Sequence, residues 1–298
     1  MQTISDLERR LEELPILPTV IVRLLALDAG GEDYFEQVLE LAQDDPTFAL
    51  RIIRLSNSAT SSPINPISSL REAVVRLGVK SVTDFVRTMA VMRIFLPTTA
   101  EEKSLWVHSI QVAVGAKLIA QAAPALEVNP EQAYLCGLLH DIGRFVLFDK
   151  AKDQLNMLED AHWQSPAELV QRERELYGFN HSELGQRVCE KWDLPQMIID
   201  VVGNHHEFDL PDSLFADSPL GHLIRIVQMA DFFSVLVMFN PDAMSWQSDV
   251  FEKVLHDRCV LVSSSEPPLS AKQLHAQAGR IIEESNKKVL GLGLGTAT

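Results

Sequence analysis

Cys136-Gly-Leu-Leu-His-Asp-Ile-Gly-Arg144 decides how this chain is read. A histidine and an aspartate stand side by side, with Leu138 and Leu139 before them and Ile142 and Gly143 after. Apolar residues on both sides imply a largely buried helix. Taking a neutral polar group out of water without a partner costs about 2–7 kcal/mol, and a charge costs more. His140 and Asp141 therefore need partners from elsewhere in the chain. Adjacent helical residues point ~100° apart, so the pair suits a metal lying between its two directions better than a mutual hydrogen bond. Taken alone, the dipeptide reads more readily as a core histidine bonded to a carbonyl beside a surface carboxylate. The remaining sequence has to decide.

At 298 residues the chain can bury one large core or two smaller ones. An apolar content of 46% makes it globular and not disordered. No apolar run reaches the roughly 20 residues that span a bilayer. The charged N-terminus, Met1-Gln-Thr-Ile-Ser-Asp-Leu-Glu-Arg-Arg10, lacks a signal-peptide core. Cys136, Cys189 and Cys259 form no disulfide framework. A reducing cytoplasm, with no membrane partner, is the expected setting. The balance of 41 acidic against 26 basic residues leaves a net charge of −15, which repels a phosphate-rich duplex. No dense run of Lys and Arg offsets it, so nucleic acid is not an expected partner.

The periodicity is helical almost throughout, and strand signals are nearly absent. Helices are expected at Ile4–Leu14, Thr19–Leu27, Tyr34–Ala42, from Pro46 to about Asn57, Leu70–Leu77 and Val79–Phe95. A long helix follows from about Glu101 to Ala123, and a central one from about Pro130 to Asp149. Further helices fit Lys152–Ala161, Pro166–Leu176, His181–Trp192, Pro195–Asn204, Leu220–Phe239, Ser248–Leu255 and Ser270–Val289. Ser56–Ser69 and Phe208–Pro219 read as loops. Leu96-Pro97 closes the first half, which gives expected units of 1–97, 98–290 and a flexible tail of 291–298.

Apolar helices carrying one isolated ionisable group are where partners for His140 and Asp141 should be sought. His108 lies inside Leu105-Trp-Val-His-Ser-Ile-Gln-Val112, and Asp231 is the one acid of Ile224-Arg-Ile-Val-Gln-Met-Ala-Asp-Phe-Phe233. His181 opens a helix, and His205 and His206 end one. Imidazoles and carboxylates without thiolates favour iron, manganese, nickel or zinc. Five histidines and two carboxylates exceed the needs of one ion. Two divalent ions sharing a carboxylate would use them all, and such pairs, about 3.5–4 Å apart, activate water and clamp phosphoryl groups.

The order His108, His140-Asp141, Asp231 is similar to the H…HD…D pattern of the HD superfamily of metal-dependent phosphohydrolases. His181 and His205-His206 resemble the extra histidines of its HD-GYP branch, which cleaves cyclic di-GMP. Leu14-Pro-Ile-Leu-Pro18, Asp44-Asp-Pro46, Arg54-Leu-Ser-Asn-Ser58 and Arg71-Glu-Ala-Val-Val-Arg-Leu-Gly78 resemble the HDOD domain, the HD-related output domain of bacterial signalling proteins. That resemblance covers about Leu14 to Phe239. It implies an all-α fold, an N-terminal helical bundle packed on an HD-like core. It also implies roles: His108, His140, Asp141 and Asp231 at a first metal, with Asp141 bridging; His181, His205 and His206 at a second; Arg144 on substrate phosphate. Consecutive His205 and His206 reach one ion only if their helix ends there.

The chain departs from both patterns. Many HDOD proteins have lost the metal ligands, whereas every ligand position is filled here. Arg144 stands where the HD-GYP motif has lysine, and Glu207-Phe-Asp-Leu-Pro-Asp212 contains no Gly-Tyr-Pro. Hydrolysis of cyclic di-GMP is therefore expected to be slow or absent. The expectation is a signalling protein with a metal centre and phosphohydrolase chemistry on a nucleotide or other phosphate-containing ligand. A non-catalytic module that binds a signalling protein partner, with a structural or vestigial metal, is the alternative. A metal-free helical scaffold is a third reading.

Overall fold

Short polar caps and early prolines start most of the helices. The computed structural model describes residues 19–27, 30–57, 67–150, 166–207, 218–258 and 267–295. No strand occurs among them, and the all-α expectation holds. The chain divides into two compact units.

The smaller unit comprises Pro15–Thr98 and Ser285–Ala297. Its helices are α1 (Thr19–Leu25), α2 (Tyr34–Gln43), α3 (Pro46–Ser56), α4 (Leu70–Leu77) and α5 (Val79–Met92). Asp45 caps α3 by accepting from the Thr47 amide, with Pro46 in the first turn, where a missing N–H costs nothing. Ser69 caps α4 in the same way. Asn57 closes the connection to α4 on both sides of one residue. Its side chain accepts from the Ile67 amide at 2.8 Å and donates to the Ile67 carbonyl at 2.7 Å. The core of this unit holds Val38, Phe48, Ile52, Val74, Phe85 and Val86.

The larger unit is built mainly from Thr99–Glu284. It contains α6 (Ala100–Ala122), α7 (Pro130–Leu139), α8 (Ile142–Lys150), α9 (Pro166–Tyr177), α10 (His181–Lys191), α11 (Gln196–Asn204), α12 (Pro219–Phe239) and α13 (Ser248–Arg258). Single 3-10 turns lie at Pro124–Leu126 and Ala243–Ser245. The last helix, α14 (Ala271–Leu292), starts in this unit, and its residues from Ser285 belong to the smaller one. Helix α6 packs on α7 and α12, and α10 packs on α8 and α11. The capping box of Thr99 and Glu102 starts α6, which is apolar nearly all round and buries Trp106, Ile110 and Ile119. Helix α12 is long and apolar enough to cross a membrane by composition. Most of it is nevertheless buried inside this unit, as the core helix of a folded domain would be.

Two glycines let helices approach closely. A Cβ on Gly137 of α7 would lie 2.9 Å from both Ala113 Cα and Val112 O of α6. A Cβ on Gly143 of α8 would lie 2.0 Å from the His181 carbonyl and 2.8 Å from the Gly185 amide nitrogen of α10. Gly143 thus sets how near α8 comes to the start of α10.

Three expectations need correction. The central helix is not continuous: it stops at Leu139 and restarts at Ile142, with His140 and Asp141 at the junction. The His140 ring donates back to the Gly137 carbonyl at 2.8 Å. The expected flexible tail is helical to Leu292, and Leu292 and Leu294 are buried. The Arg51 guanidinium donates to the Leu292 carbonyl and holds that end within the smaller unit. Helix α5 ends at Met92, not at Phe95. The expected helices at Ile4–Leu14 and Lys152–Ala161, the motif Leu14–Pro18 and the segment 208–212 lie outside the described residues.

Gly143→Ala should destabilise the protein by about 1–3 kcal/mol or more, because backbone on both sides blocks the methyl group. Gly279→Ala, on an exposed turn of α14 with nothing within 4 Å, should stabilise it by about 0.5–1 kcal/mol. Denaturant unfolding of both variants checks this; equal effects would contradict the close approach.

Candidate metal centre

Five short stretches in the larger unit each deliver a polar side chain to one buried place. His108 comes from the middle of α6 and Asp231 from the middle of α12. His140 and Asp141 come from the break between α7 and α8. His181 is the first residue of α10, fixed there by a capping box between Asn180 and Glu183. Helix α11 ends at Asn204, so the turn carrying His205 and His206 is free to bring both rings to the same place. His140, Asp141, His181 and His205 are all buried, with exposures of 3% or less.

Asp141 sits at the centre, and its two oxygens face different partners. Oδ2 lies 3.6 Å from Nε2 of both His108 and His140, and 3.5 Å from Nη1 of Arg144. Oδ1 lies 3.2 Å from His181 Nε2 and 3.6 Å from His205 Nε2. On the first side, His108 Nε2 is 3.2 Å from Asp231 Oδ1 and 3.2 Å from His140 Nε2. On the second, His181 Nε2 is 3.3 Å from His205 Nε2, and the His206 ring centroid is 4.8 Å from that of His181. The donors form two groups: His108, His140 and Asp141, then Asp141, His181, His205 and His206. All seven residues expected from the sequence as ligands converge here, and Arg144 lies beside them.

The donor set fits a metal. Ligands arranged tetrahedrally at about 2.1 Å from one ion lie about 3.4 Å from each other, the spacing found here. The outer ring nitrogens are also occupied. Nδ1 of His140 donates to the Gly137 carbonyl at 2.8 Å, and Nδ1 of His205 to the Val202 carbonyl at 2.7 Å. Nδ1 of His181 faces Glu173 Oε2 at 2.6 Å. Nδ1 of His108 faces the Ser234 hydroxyl at 3.0 Å, and that hydroxyl donates onward to Gln111 Oε1. The contacts of His140, His205 and His108 place the proton on Nδ1 and turn the Nε2 lone pair inward, as a metal-ligating imidazole requires, and Glu173 orients the His181 ring the same way.

Charge follows the same geometry. Burial pushes His140 down to about 4, against the pull of Asp141 and Asp231. Burial, with His205 and His181 beside it, also holds His206 well below its ordinary value. Burial opposes the charged form of His181 too, but Glu173 and Asp141 outweigh it and push that imidazole up to about 10. Burial disfavours the ionised forms of Asp141 and Asp231, yet the surrounding imidazoles hold both carboxyls below the usual range. Cys136 and Cys189 are buried thiols, Cys136 pushed up to about 12 by burial, and neither belongs to the two donor groups.

Three contributors were missed in the sequence. Glu173 is 1% exposed and accepts from both the His181 ring and its backbone amide. It lies in Gln171-Arg-Glu-Arg-Glu175, which reads as a solvated charged face. Ser234 and Gln111 sit on α12 and α6 one turn from Asp231 and His108, the ligands expected there. Spacing of three residues from a candidate ligand on the same helix was the available signal.

The family described as the HDOD domain matches residues 14–208. A Geobacter sulfurreducens structure described as an HDOD domain protein of unknown function is 24% identical, with a TM-score of 0.68 over 97% of this chain and 99% of that one. A Shewanella amazonensis SB2B protein provisionally named a phosphohydrolase is 22% identical, with a TM-score of 0.69 over 96% and 97% of the two chains. A Marinobacter aquaeolei VT8 protein provisionally named a signal transduction protein is 17% identical, with a TM-score of 0.68 over 99% of this chain and 61% of that one. At these identities the likeness is one of fold. An uncharacterized protein of Treponema pallidum (strain Nichols) is 22% identical over 225 residues, and this chain spans 43% of its length.

Glu173→Gln should leave the helical content unchanged and weaken metal binding by about 10–100-fold, because the amide holds the His181 ring without the charge. Metal titration followed by circular dichroism of the same sample checks this; unchanged affinity would contradict a positioning role.

Proposed function

This chain belongs to the HDOD domain family, and on that footing we propose that it is a signalling module carrying a two-ion divalent metal centre that hydrolyses phosphate esters. The observation that carries this reading is the division of Asp141, with Oδ2 toward one donor group and Oδ1 toward the other. His108, His140, Asp141 and Asp231 would hold one ion, and Asp141, His181, His205 and His206 the other. Divalent ions supply Lewis-acid polarisation of a phosphoryl oxygen and activation of water at neutral pH.

The chain's own residues support the same chemistry. Arg144 keeps its guanidinium 3.5 Å from Asp141 and lines the cavity above the cluster, where it can neutralise a phosphoryl oxygen. Arg is fixed in charge and forked, so it meets phosphate by paired N–H groups where a lysine offers a single point. Leu105, Phe148 and Leu169 line the same cavity and give it apolar walls. Manganese, iron, nickel and zinc all suit a donor set of imidazole and carboxylate.

A second reading is a binding module whose centre is structural. This chain spans 43% of the Treponema pallidum protein and 61% of the Marinobacter aquaeolei one. In that reading the partner is a protein, and the nucleotide or phosphate ligand is bound without turnover.

Hydrolysis of p-nitrophenyl phosphate by the purified protein should require manganese or iron, stop on chelation and return on re-addition. Asp141→Ala should lose the activity and both ions together, whereas His108→Ala and His181→Ala should each lose about one ion. Elemental analysis beside the rate assay checks both. Full metal content in Asp141→Ala would defeat the bridge, and full metal without turnover would select the binding module.

A further inference from the structure

The metal cluster forms one end of a cavity of about 190 Å³. Two helices wall it with regular stripes. On α6 the lining residues are Glu101, Ser104, Leu105 and His108, spaced at three, four and seven residues. On α12 they are Asp231, Val235, Met238 and Phe239, spaced at four, seven and eight. Those spacings keep each stripe on one helical face, so both walls start at a ligand and run away from it. At about 1.5 Å per residue the stripes extend about 10 Å from His108 to Glu101 and about 12 Å from Asp231 to Phe239. Helix α8 adds Arg144 and Phe148 beside Asp141.

We propose that this cleft takes a phosphate monoester bearing one compact apolar group, such as an aryl ring, with the phosphoryl group at Arg144 and the cluster and the apolar group against Val235, Met238 and Phe239. The proposal rests on the metal-site reading above. It also adds a substrate class to it.

Size is the first argument. Pockets for drug-sized ligands run about 300–1,000 Å³, so this cleft has room for one phosphoryl group and one ring. The wall is the second argument. Phe239 is 66% exposed and Met238 38%, although both are large and apolar and stand on the face that carries Asp231. Two large apolar side chains left open beside a polar site offer surface that an apolar ligand group can cover. Charge is the third. Arg144 is the one lysine or arginine among the described lining residues, and Glu101 stands at the far end of the α6 stripe. A second phosphate reaching outward would meet a carboxylate, which selects against nucleoside polyphosphates.

Phenylphosphonate and methylphosphonate test this directly, because both carry the same dianion, neither is hydrolysed, and they differ by the ring. Titration calorimetry of the full manganese-loaded chain should find phenylphosphonate bound about 10–100-fold more tightly, the value of burying one aromatic group. Val235→Trp, which fills the cleft, and Phe239→Ser, at an exposed position, should each bring that ratio toward one. Glu101→Gln should improve binding of phenyl diphosphate several-fold. Equal affinity for the two phosphonates would overturn the proposal and leave the metal centre standing. Tighter binding of cyclic di-GMP than of phenylphosphonate would also overturn it. Failure of either phosphonate to bind the manganese-loaded protein would overturn it together with the phosphohydrolase reading.

Discussion

The larger unit depends on one buried carboxylate shared between two sets of imidazoles. Asp141 is 3% exposed, and with Asp231 and Glu173 it puts three acidic groups into a protein interior. A charge moved out of water without compensation is costly, and an attraction in low dielectric offsets that cost only when geometry and hydrogen bonds are complete. Here the compensation is almost entirely imidazole. Histidine is a partial answer, because burial also drives His140 and His206 toward their neutral forms. His181 is the exception, held toward its charged form by Glu173 and Asp141, and three acids against one such ring leave negative charge to be balanced. Divalent cations at the inward-facing Nε2 atoms would balance it.

That requirement explains features that look unrelated. His140 and Asp141 lie at the break between α7 and α8, where both reach the cluster. Gly143 has no side chain because the His181 carbonyl would occupy its position. Asn180 and Glu183 spend a capping box on the helix whose first residue is His181. Carbonyls of Gly137 and Val202, the Ser234 hydroxyl and Glu173 each hold one outer ring nitrogen. These contacts order the ligands before any ion arrives, so less ordering remains when one binds.

Much of this was legible in the sequence, and the gaps have physical causes. His108, His140, Asp141, His181, His205, His206 and Asp231 stood out because each is an isolated polar group in an apolar helix or at a helix end. Glu173 did not, because its neighbours Arg172, Arg174 and Glu175 are charged and nothing in a run of charges tells which one turns inward. The break between α7 and α8 was hidden because Ile142-Gly-Arg-Phe-Val continues a helical pattern without proline. The end of α14 misled for a different reason. Gly291-Leu-Gly-Leu-Gly reads as loose chain, yet a Cβ on Gly291 would lie 2.9 Å from Leu55 and 3.1 Å from Phe85, so the glycine there permits packing. Local propensity gives way where tertiary contacts are that close.

The central claim is that Asp141 joins two ions. Anomalous diffraction from crystals of the protein carrying the metal it was purified with tests it most directly. The account predicts two peaks about 3.5–4 Å apart, one among His108, His140 and Asp231, the other among His181, His205 and His206, with an Asp141 oxygen bonded to each. A single peak, or none in protein that retains its fold and its full helical content, would contradict it.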